Sequence, residues 1–405
     1  MRNQGSLGWL ARLNFCLADV RDGLGPFLGI FLMGQGWRAD DIGYVMSIGG
    51  IAGMLATTPV GALIDASRAK RLVLAVAAVL VVLGSLVLLV STSFVITAAS
   101  QVGTGIVGAI IGPAIAGLTL GMVSHDRLAD QLGINEAWNH AGNLVSAALA
   151  GALGFYWGVA AVFVLMAVMA LVSLACLWRI RPEDIDHDMA RGLDANAGHR
   201  VPTSLWKVLR GSPALMTLAV VMMLFHLGNA AMLPLLGQAA MARAQLDPSL
   251  FTALTVMVAQ LVMIPVALLA GGLASRHGYA LLVTLALLAL PLRGLVAGCW
   301  DSAWALIPVQ VLDGVGAGLL GVALPGLVAR LLHGSGHVNI GLGAVMTIQG
   351  VGAALSPALA GAVAARYGYG MAFLALSALA ALALLLWLAS GAHARSATPH
   401  PPQRD

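Results

Sequence analysis

Charge is what this chain has least of. Of its 405 residues only 9% are Asp, Glu, Lys or Arg, against about 25% in a soluble globular protein. Sixty per cent are hydrophobic and the mean hydropathy is +0.91. This balance excludes a soluble enzyme or a nucleic-acid binder. The net charge of +4 does not restore a nucleic-acid reading, because the basic residues sit in short loops between apolar runs. Cysteine is nearly absent as well. Cys16, Cys176 and Cys299 lie far apart in apolar segments, without metal or disulfide spacing, and read as small buried apolar residues. The sequence lacks a G-x-x-x-x-G-K-[ST] phosphate loop, which argues against ATP hydrolysis by this chain. It also lacks a recognisable nucleophile–base spacing among its deep Asp and His residues, so no enzyme and no cofactor is expected. The start is not a signal peptide: its apolar stretch carries Asp19, Arg21 and Asp22, and no small-residue cleavage site follows a clean apolar core.

What is abundant is apolar length. A bilayer crossing takes about 20 mainly apolar residues. Twelve such stretches are expected, near 10–33, 42–64, 71–91, 94–122, 133–156, 159–179, 213–236, 250–273, 279–299, 303–332, 338–364 and 370–390. The 49 glycines suit close-packed membrane helices. One long polar segment, around RIRPEDIDHDMARGLDANAGHR, divides the stretches six and six. The expected organisation is an all-α membrane protein with an N-terminal bundle at 1–178, a cytoplasmic linker at 179–212, a C-terminal bundle at 213–391 and a polar, disordered cytoplasmic tail at 392–405. With the N-terminus inside, sixteen Lys and Arg face the cytoplasm, against Arg38, Arg243 and Arg366 outside. By the positive-inside rule both termini are cytoplasmic. The Ala-, Leu-, Gly- and Arg-rich composition fits a bacterial plasma membrane, and one chain holds both bundles, so a monomer suffices.

The halves repeat. Gly61-Ala-Leu63 matches Gly271-Gly-Leu273, and Leu149-Ala-Gly-Ala matches Leu359-Ala-Gly-Ala, both at an offset of 210; Gln101 matches Gln310 at 209, and Gly34-Gln35 matches Gly237-Gln238 at 203. A nearly constant offset describes two parallel six-helix repeats around a midplane site. The loop after the second span reads Gly61-Ala-Leu-Ile-Asp65-Ala-Ser-Arg68-Ala-Lys70-Arg71. With these features the chain resembles the major facilitator superfamily, whose signature G-x-L-x-D-R-x-G-R-K is matched at Gly61, Leu63, Asp65 and Lys70. Ala66, Arg68 and Ala69 depart from it. A second copy, Gly271-Gly-Leu273-Ala-Ser275-Arg276-His-Gly278, has Ser for Asp. The resemblance implies gating roles for Gly61, Asp65, Arg68, Lys70 and Arg276, with Gly61 permitting close helix approach and Asp65 making a contact present in one conformation only. The alternative is a cluster that sets topology alone. Antiporter patterns of that superfamily are degraded here. Gln101 and Gln310 stand where an R-x-x-x-G pattern has Arg, and the fifth span lacks the Pro of G-x-x-x-G-P-x-x-G-G.

Ionisable side chains at membrane depth cost about 2.5–3.5 kcal/mol on insertion scales and mark transport paths. The first span carries Asp19, Arg21 and Asp22, and Pro26 between glycines should bend or loosen it. Asp19 and Asp22 share a face; a structural ion pair is the alternative to a proton or substrate site. Asp313, with Gln310 one turn away, is the only deep acid of the C-terminal half. His226 and Asn229 lie near the midplane of the seventh span, and Asn139, His140 and Asn143 share a face with Glu136 in the fifth. Gln349 aligns with Asn139 in the repeat. Arg293 reads as a structural or snorkelling cation. These residues predict a secondary transporter that moves a small solute by alternating access, coupled to protons. Efflux of an organic metabolite, siderophore-like molecule or drug is expected from the resemblance. A divalent-metal exporter is the alternative, with Asp22, His226 and Asp313 as first ligands and Asp19 and His140 as further donors; no local ligand motif supports it. A lipid transporter or a membrane sensor docking through the linker is a minor alternative.

Overall fold

The computed structural model describes residues 4–21, 24–123, 125–186, 209–243, 247–332 and 338–390. Among these no strand occurs. Asp22 lies outside the described residues, as do the side chains of Arg21 and Asp65. The helices are α1 Gln4–Arg21, α2 Phe27–Gly34, α3 Ala39–Ala66, α4 Lys70–Leu86, α5 Phe94–Met122, α6 His125–Trp157 and α7 Ala161–Arg179. After the long polar segment come α8 Pro213–Asn229, α9 Met232–Arg243, α10 Pro248–His277, α11 Tyr279–Cys299, α12 Leu306–Leu331, α13 Val338–Tyr367 and α14 Tyr369–Ala389. Nine helices or helix pairs among the described residues are long and apolar enough to cross a bilayer. The three remaining expected spans fall on α1 with α2, on α3 and on α6, which are interrupted or carry acidic and amide side chains. The first span breaks where Pro26 and its glycines were expected to loosen it: Gly25 has φ +48° and Pro26 is the N-cap of α2.

Helix ends follow local chemistry. Ser212 accepts from the Leu215 amide at 3.3 Å beside Pro213 at the first helical position, and Asp247 accepts from the amides of Ser249 and Leu250 at 2.9 and 3.0 Å. Gly158, Gly278 and Gly368 have φ of +81°, +81° and +87° at turns between consecutive helices. Gly158 and Gly368 lie one repeat apart, so the internal duplication extends to its turns.

The chain forms two compact units, one within 1–200 and 233–257, the other within 201–232 and 258–405. Residues 233–257 thus pack with the first unit, although they follow the long polar segment. There Gly237 faces Ile30 and Thr252, and Gly151 faces Ala253. The first unit is built around Leu10, Leu13, Val20, Phe31, Val81 and Phe163, with Phe31 edge-on to Phe163 at 4.9 Å. The second unit buries Trp387, whose indole N–H donates to Thr284 Oγ1 at 2.9 Å, together with Phe373, Leu282 and Leu287.

Helix pairs meet through glycine, and the contacts recur at the repeat offset. In the first unit, Gly105 of α5 faces the backbone of Gly49 and Gly53 on α3. In the second, Gly314 and Gly318 of α12 face Ala259 and Met263 on α10. Likewise Gly142 of α6 meets the backbone of Phe15 on α1, and Gly352 of α13 meets Met223 and Leu227 on α8. Without a hydrophobic drive between helices in lipid, such close backbone approach is what gives association its dispersion energy.

The basic loop after α3 has a structural use. Lys70 is 1% exposed, and its ammonium donates to the carbonyls of Ile64 and Ser67 at 2.8 and 2.9 Å. It therefore satisfies the C-terminal carbonyls of α3 at the negative end of the helix dipole. Arg71 does the same for α7, donating to the carbonyls of Leu177 and Trp178. No described atom lies within 4 Å of where a Cβ on Gly61 would stand; in this conformation the close approach of α3 occurs two turns earlier, at Gly53.

Candidate functional site

Four helices of the second unit line a cavity of about 280 Å³. α8 contributes His226 and Asn229, α11 contributes Arg293, α12 contributes Asp313 and α13 contributes Gln349. Its remaining wall is mostly apolar, with Phe225, Leu290 and Leu324 among its members. The space exists because α12 carries small residues on two faces. Gly314 and Gly318 pack on α10, while Gly316, Ala317 and Gly321 leave the cavity open beside Asp313.

Arg293 is the centre of the site. Its side chain is 2% exposed, and Nη1 lies 2.7 Å from Asp313 Oδ1 and donates to Asn229 Oδ1 at 2.6 Å. Asp313 is 23% exposed at its side chain. The pair is therefore unequal: solvent reaches the carboxylate and not the guanidinium. A guanidinium does not deprotonate in proteins, so Arg293 is a fixed positive charge at this site. His226 Nδ1 lies 2.9 Å from the Met222 carbonyl, and the imidazole stands edge-on to Phe225 with centroids 5.3 Å apart. That leaves Nε2 as the nitrogen free to face the cavity.

The structure thus brings His226, Asn229, Asp313 and Gln349 together. It separates Gln310 from them. Three residues turn a helix by about 300°, so Gln310 and Asp313 stand about 60° apart around α12. Gln310 falls on the face of Gly314 and Gly318 and is wholly buried, rather than beside Asp313 at the cavity. Arg293 is not a snorkelling cation but a buried partner of Asp313. A signal for it was present: the C-terminal half has one deep acid and one deep base, and two such charges tend to meet.

In the first unit, Gln101 lines a groove of about 390 Å³ with Thr57, Thr104 and the glycines of α3 and α5. Asp19 is half-buried on α1. Asn139, His140 and Asn143 are half-buried on α6, and His140 Nε2 lies 3.5 Å from Glu136 Oε1. Trp138 packs edge-on to Phe15 at 6.1 Å. A buried chain from α6 to α5 escaped sequence reading: Gln131 donates to Asn135 at 3.0 Å, and Asn135 donates to Thr119 of α5 at 2.9 Å. Arg68 and Arg276 are exposed at helix ends. Among the described residues no group of three His, Cys, Asp or Glu could hold a metal ion.

Long apolar helices in a repeated arrangement, with a buried ion pair inside the second unit, define a multi-pass membrane protein. The sequence matches the family model of the Major Facilitator Superfamily over residues 10–339. The chain belongs to that superfamily. It is 41% identical over 378 residues, 93% of its own length and 90% of theirs, to the MFS-type transporters MT2531 and Rv2456c of Mycobacterium tuberculosis. Among solved structures, it is similar to the nucleoside transporter NupG with a TM-score of 0.72 at 16% identity, covering 96% of this chain and 99% of that one. A bacterial homolog of the human lysosomal transporter Spinster, inward-facing and unoccupied, gives 0.73 at 12%, covering 98% of each chain. A POT family transporter in complex with 5-aminolevulinic acid gives 0.75 at 15%, covering 95% of each. These likenesses show the fold. The protein is a multi-pass membrane transporter of a superfamily that carries solutes rather than transforming them.

Proposed function

We propose that the chain is a proton-coupled secondary transporter that moves a small organic solute by alternating access, with Asp313 as the proton-exchanging group of the second unit. The observation that carries this reading is the unequal pair: a buried Arg293 holding a partly exposed Asp313 at the wall of a cavity. A carboxylate that gains a proton loses its hold on the guanidinium, so protonation and local structure are linked. Both termini lie in the cytoplasm in this reading, and a monomer carries out the cycle. Whether proton and solute travel together or in exchange follows from whether they bind together or compete.

The test starts with thermal stabilisation of the purified protein by organic metabolites, drugs, chelators and divalent metals. A solute that binds the folded state raises Tm. That solute is then loaded into proteoliposomes under an imposed pH gradient. Asp313→Asn keeps an acceptor for Arg293 but cannot titrate, so gradient-driven flux should fall about a hundredfold or more, the loss expected when a proton-transferring group is removed, while the protein stays folded with a Tm lowered by the uncompensated guanidinium. Full gradient-driven flux in Asp313→Asn would remove this residue from the mechanism. A divalent metal as the single class of hit would replace the organic solute by a metal ion.

A further inference from the structure

Arg293 has more hydrogen-bonding capacity than its neighbours use. A guanidinium offers five N–H groups on three nitrogens. Nη1 serves Asp313 and Asn229, whereas Nε and Nη2 are buried and have no partner among the described residues. Gln349, on the same cavity wall, also has an amide oxygen without a partner. Buried polar groups are ordinarily satisfied, so an idle guanidinium edge beside a cavity points to a ligand with acceptor atoms.

Charge limits the kind of ligand. The titratable and charged groups at the cavity are His226, Arg293 and Asp313. Among the described residues, the helices that pack around them, α10 included, carry otherwise only Arg276, His277, Tyr279, Cys299, Arg330, Arg366, Tyr367 and Tyr369, all at or near helix ends. With Asp313 ionised the pair is neutral and the site has no call for a further anion. With Asp313 protonated and His226 neutral, the site holds one uncompensated positive charge in a largely apolar wall. One monoanion balances that charge; a dianionic phosphate leaves an excess charge that no second permanent cation at the cavity meets. The internal repeat sharpens the point. At the offset of 209 residues, Gly84 and Thr104 replace Arg293 and Asp313, so the aligned positions of the first half carry no such pair.

On the proposed transporter reading, we infer that the cavity of the second unit binds a small organic monoanion, a carboxylate or sulfonate with an apolar body, through the free edge of Arg293, and that it does so when Asp313 is protonated. The proton moves from solvent to Asp313, and the ligand's acceptor oxygens take over the guanidinium. The two bindings then reinforce each other by the same factor, as linkage requires. Proton and anion occupy one loaded state and are carried in the same direction. A cation drawn to Asp313 would instead compete with the proton and give exchange.

The experiment uses the full-length protein in detergent and in proteoliposomes. The probes are benzoate and benzenesulfonate, with benzenesulfonamide as the neutral analogue and phenyltrimethylammonium as the cation. Benzenesulfonate stays anionic at every working pH and does not cross the bilayer as a neutral acid, so its pH dependence reports the protein. Affinity for both anions should be about tenfold or more tighter near pH 5.5 than near pH 8, a full unit of linkage. Asp313→Asn should bind them at alkaline pH as tightly as wild type does in acid. Arg293→Gln should lose binding. Arg293→Lys, which keeps the charge, should retain weak binding and provides a folded comparison if the Gln variant fails to fold. An inward proton gradient should accumulate benzenesulfonate in wild-type vesicles.

Preference for phenyltrimethylammonium, with binding lost in Asp313→Asn, overturns the anion assignment and leaves proton coupling standing. No response to either anion in wild type or Asp313→Asn also overturns it. Anion binding that ignores pH and survives Asp313→Asn unchanged overturns the linkage. Proton-driven flux indifferent to Asp313 overturns the assignment of Asp313 as the proton-exchanging group, the part of the proposed function on which the inference rests.

Discussion

Asp313→Leu should be the most damaging single substitution in the second unit, lowering stability by about 3–5 kcal/mol, the range for breaking a buried ion pair from one side. It strands Arg293, which has 2% side-chain exposure and no means of neutralising itself. Arg293→Met should cost less. It leaves Asp313, whose 23% exposure lets solvent deliver a proton and remove the charge. The double variant Arg293→Met/Asp313→Leu removes both charges and fills similar volume, so it should recover most of the loss. Reversible unfolding in mixed micelles, run on all four proteins as a double-mutant cycle, measures the coupling. Equal single losses that simply add would show that the two residues do not act as a pair.

The second large effect is a contrast on one helix. In α13, Gly352→Ala places a methyl group against the backbone carbonyl of Met223 and the amide of Leu227 on α8. Backbone cannot rotate away, so the helices must separate, at a cost of about 1–3 kcal/mol or more. Gly343→Ala, on the same helix, meets nothing described within 4 Å. There the usual gain of helix propensity applies, and stability should rise by about 0.5–1 kcal/mol. Thermal melts of the two variants should therefore move in opposite directions. A fall in both would mean that Gly343 is packed against something, and a rise in both would mean that α8 and α13 have slack between them.

Particular residues show how far sequence reading reaches. The break at Pro26 was legible because proline and glycine act on the backbone within a few residues. The repeat was legible because glycine contacts such as Gly105 on Gly49 and Gly314 on Ala259 recur at a constant offset. Gln310 was not placed correctly beside Asp313: its spacing is that of helical neighbours, but the small azimuthal difference decides between the cavity and a helix interface. Lys70 resembled part of a gating motif, and its ammonium turns back to cap α3. Asp22 and the side chain of Asp65 lie outside the described residues, and their roles remain those the sequence proposes.

The sequence by itself determined that this is a membrane transporter with repeated helical halves, where its apolar spans lie, and which superfamily it joins. Those properties depend on length, composition and spacing along one chain, which are local and countable. Only the tertiary structure decided that Arg293 belongs to Asp313 and Asn229, and that two of its nitrogens have no partner among the described residues. A pairing across helices depends on their rotation and separation, which glycine contacts far from the charges set. Arg293 and Asp313 are twenty positions apart in the chain, and the packing of α11 on α12 brings them within 2.7 Å.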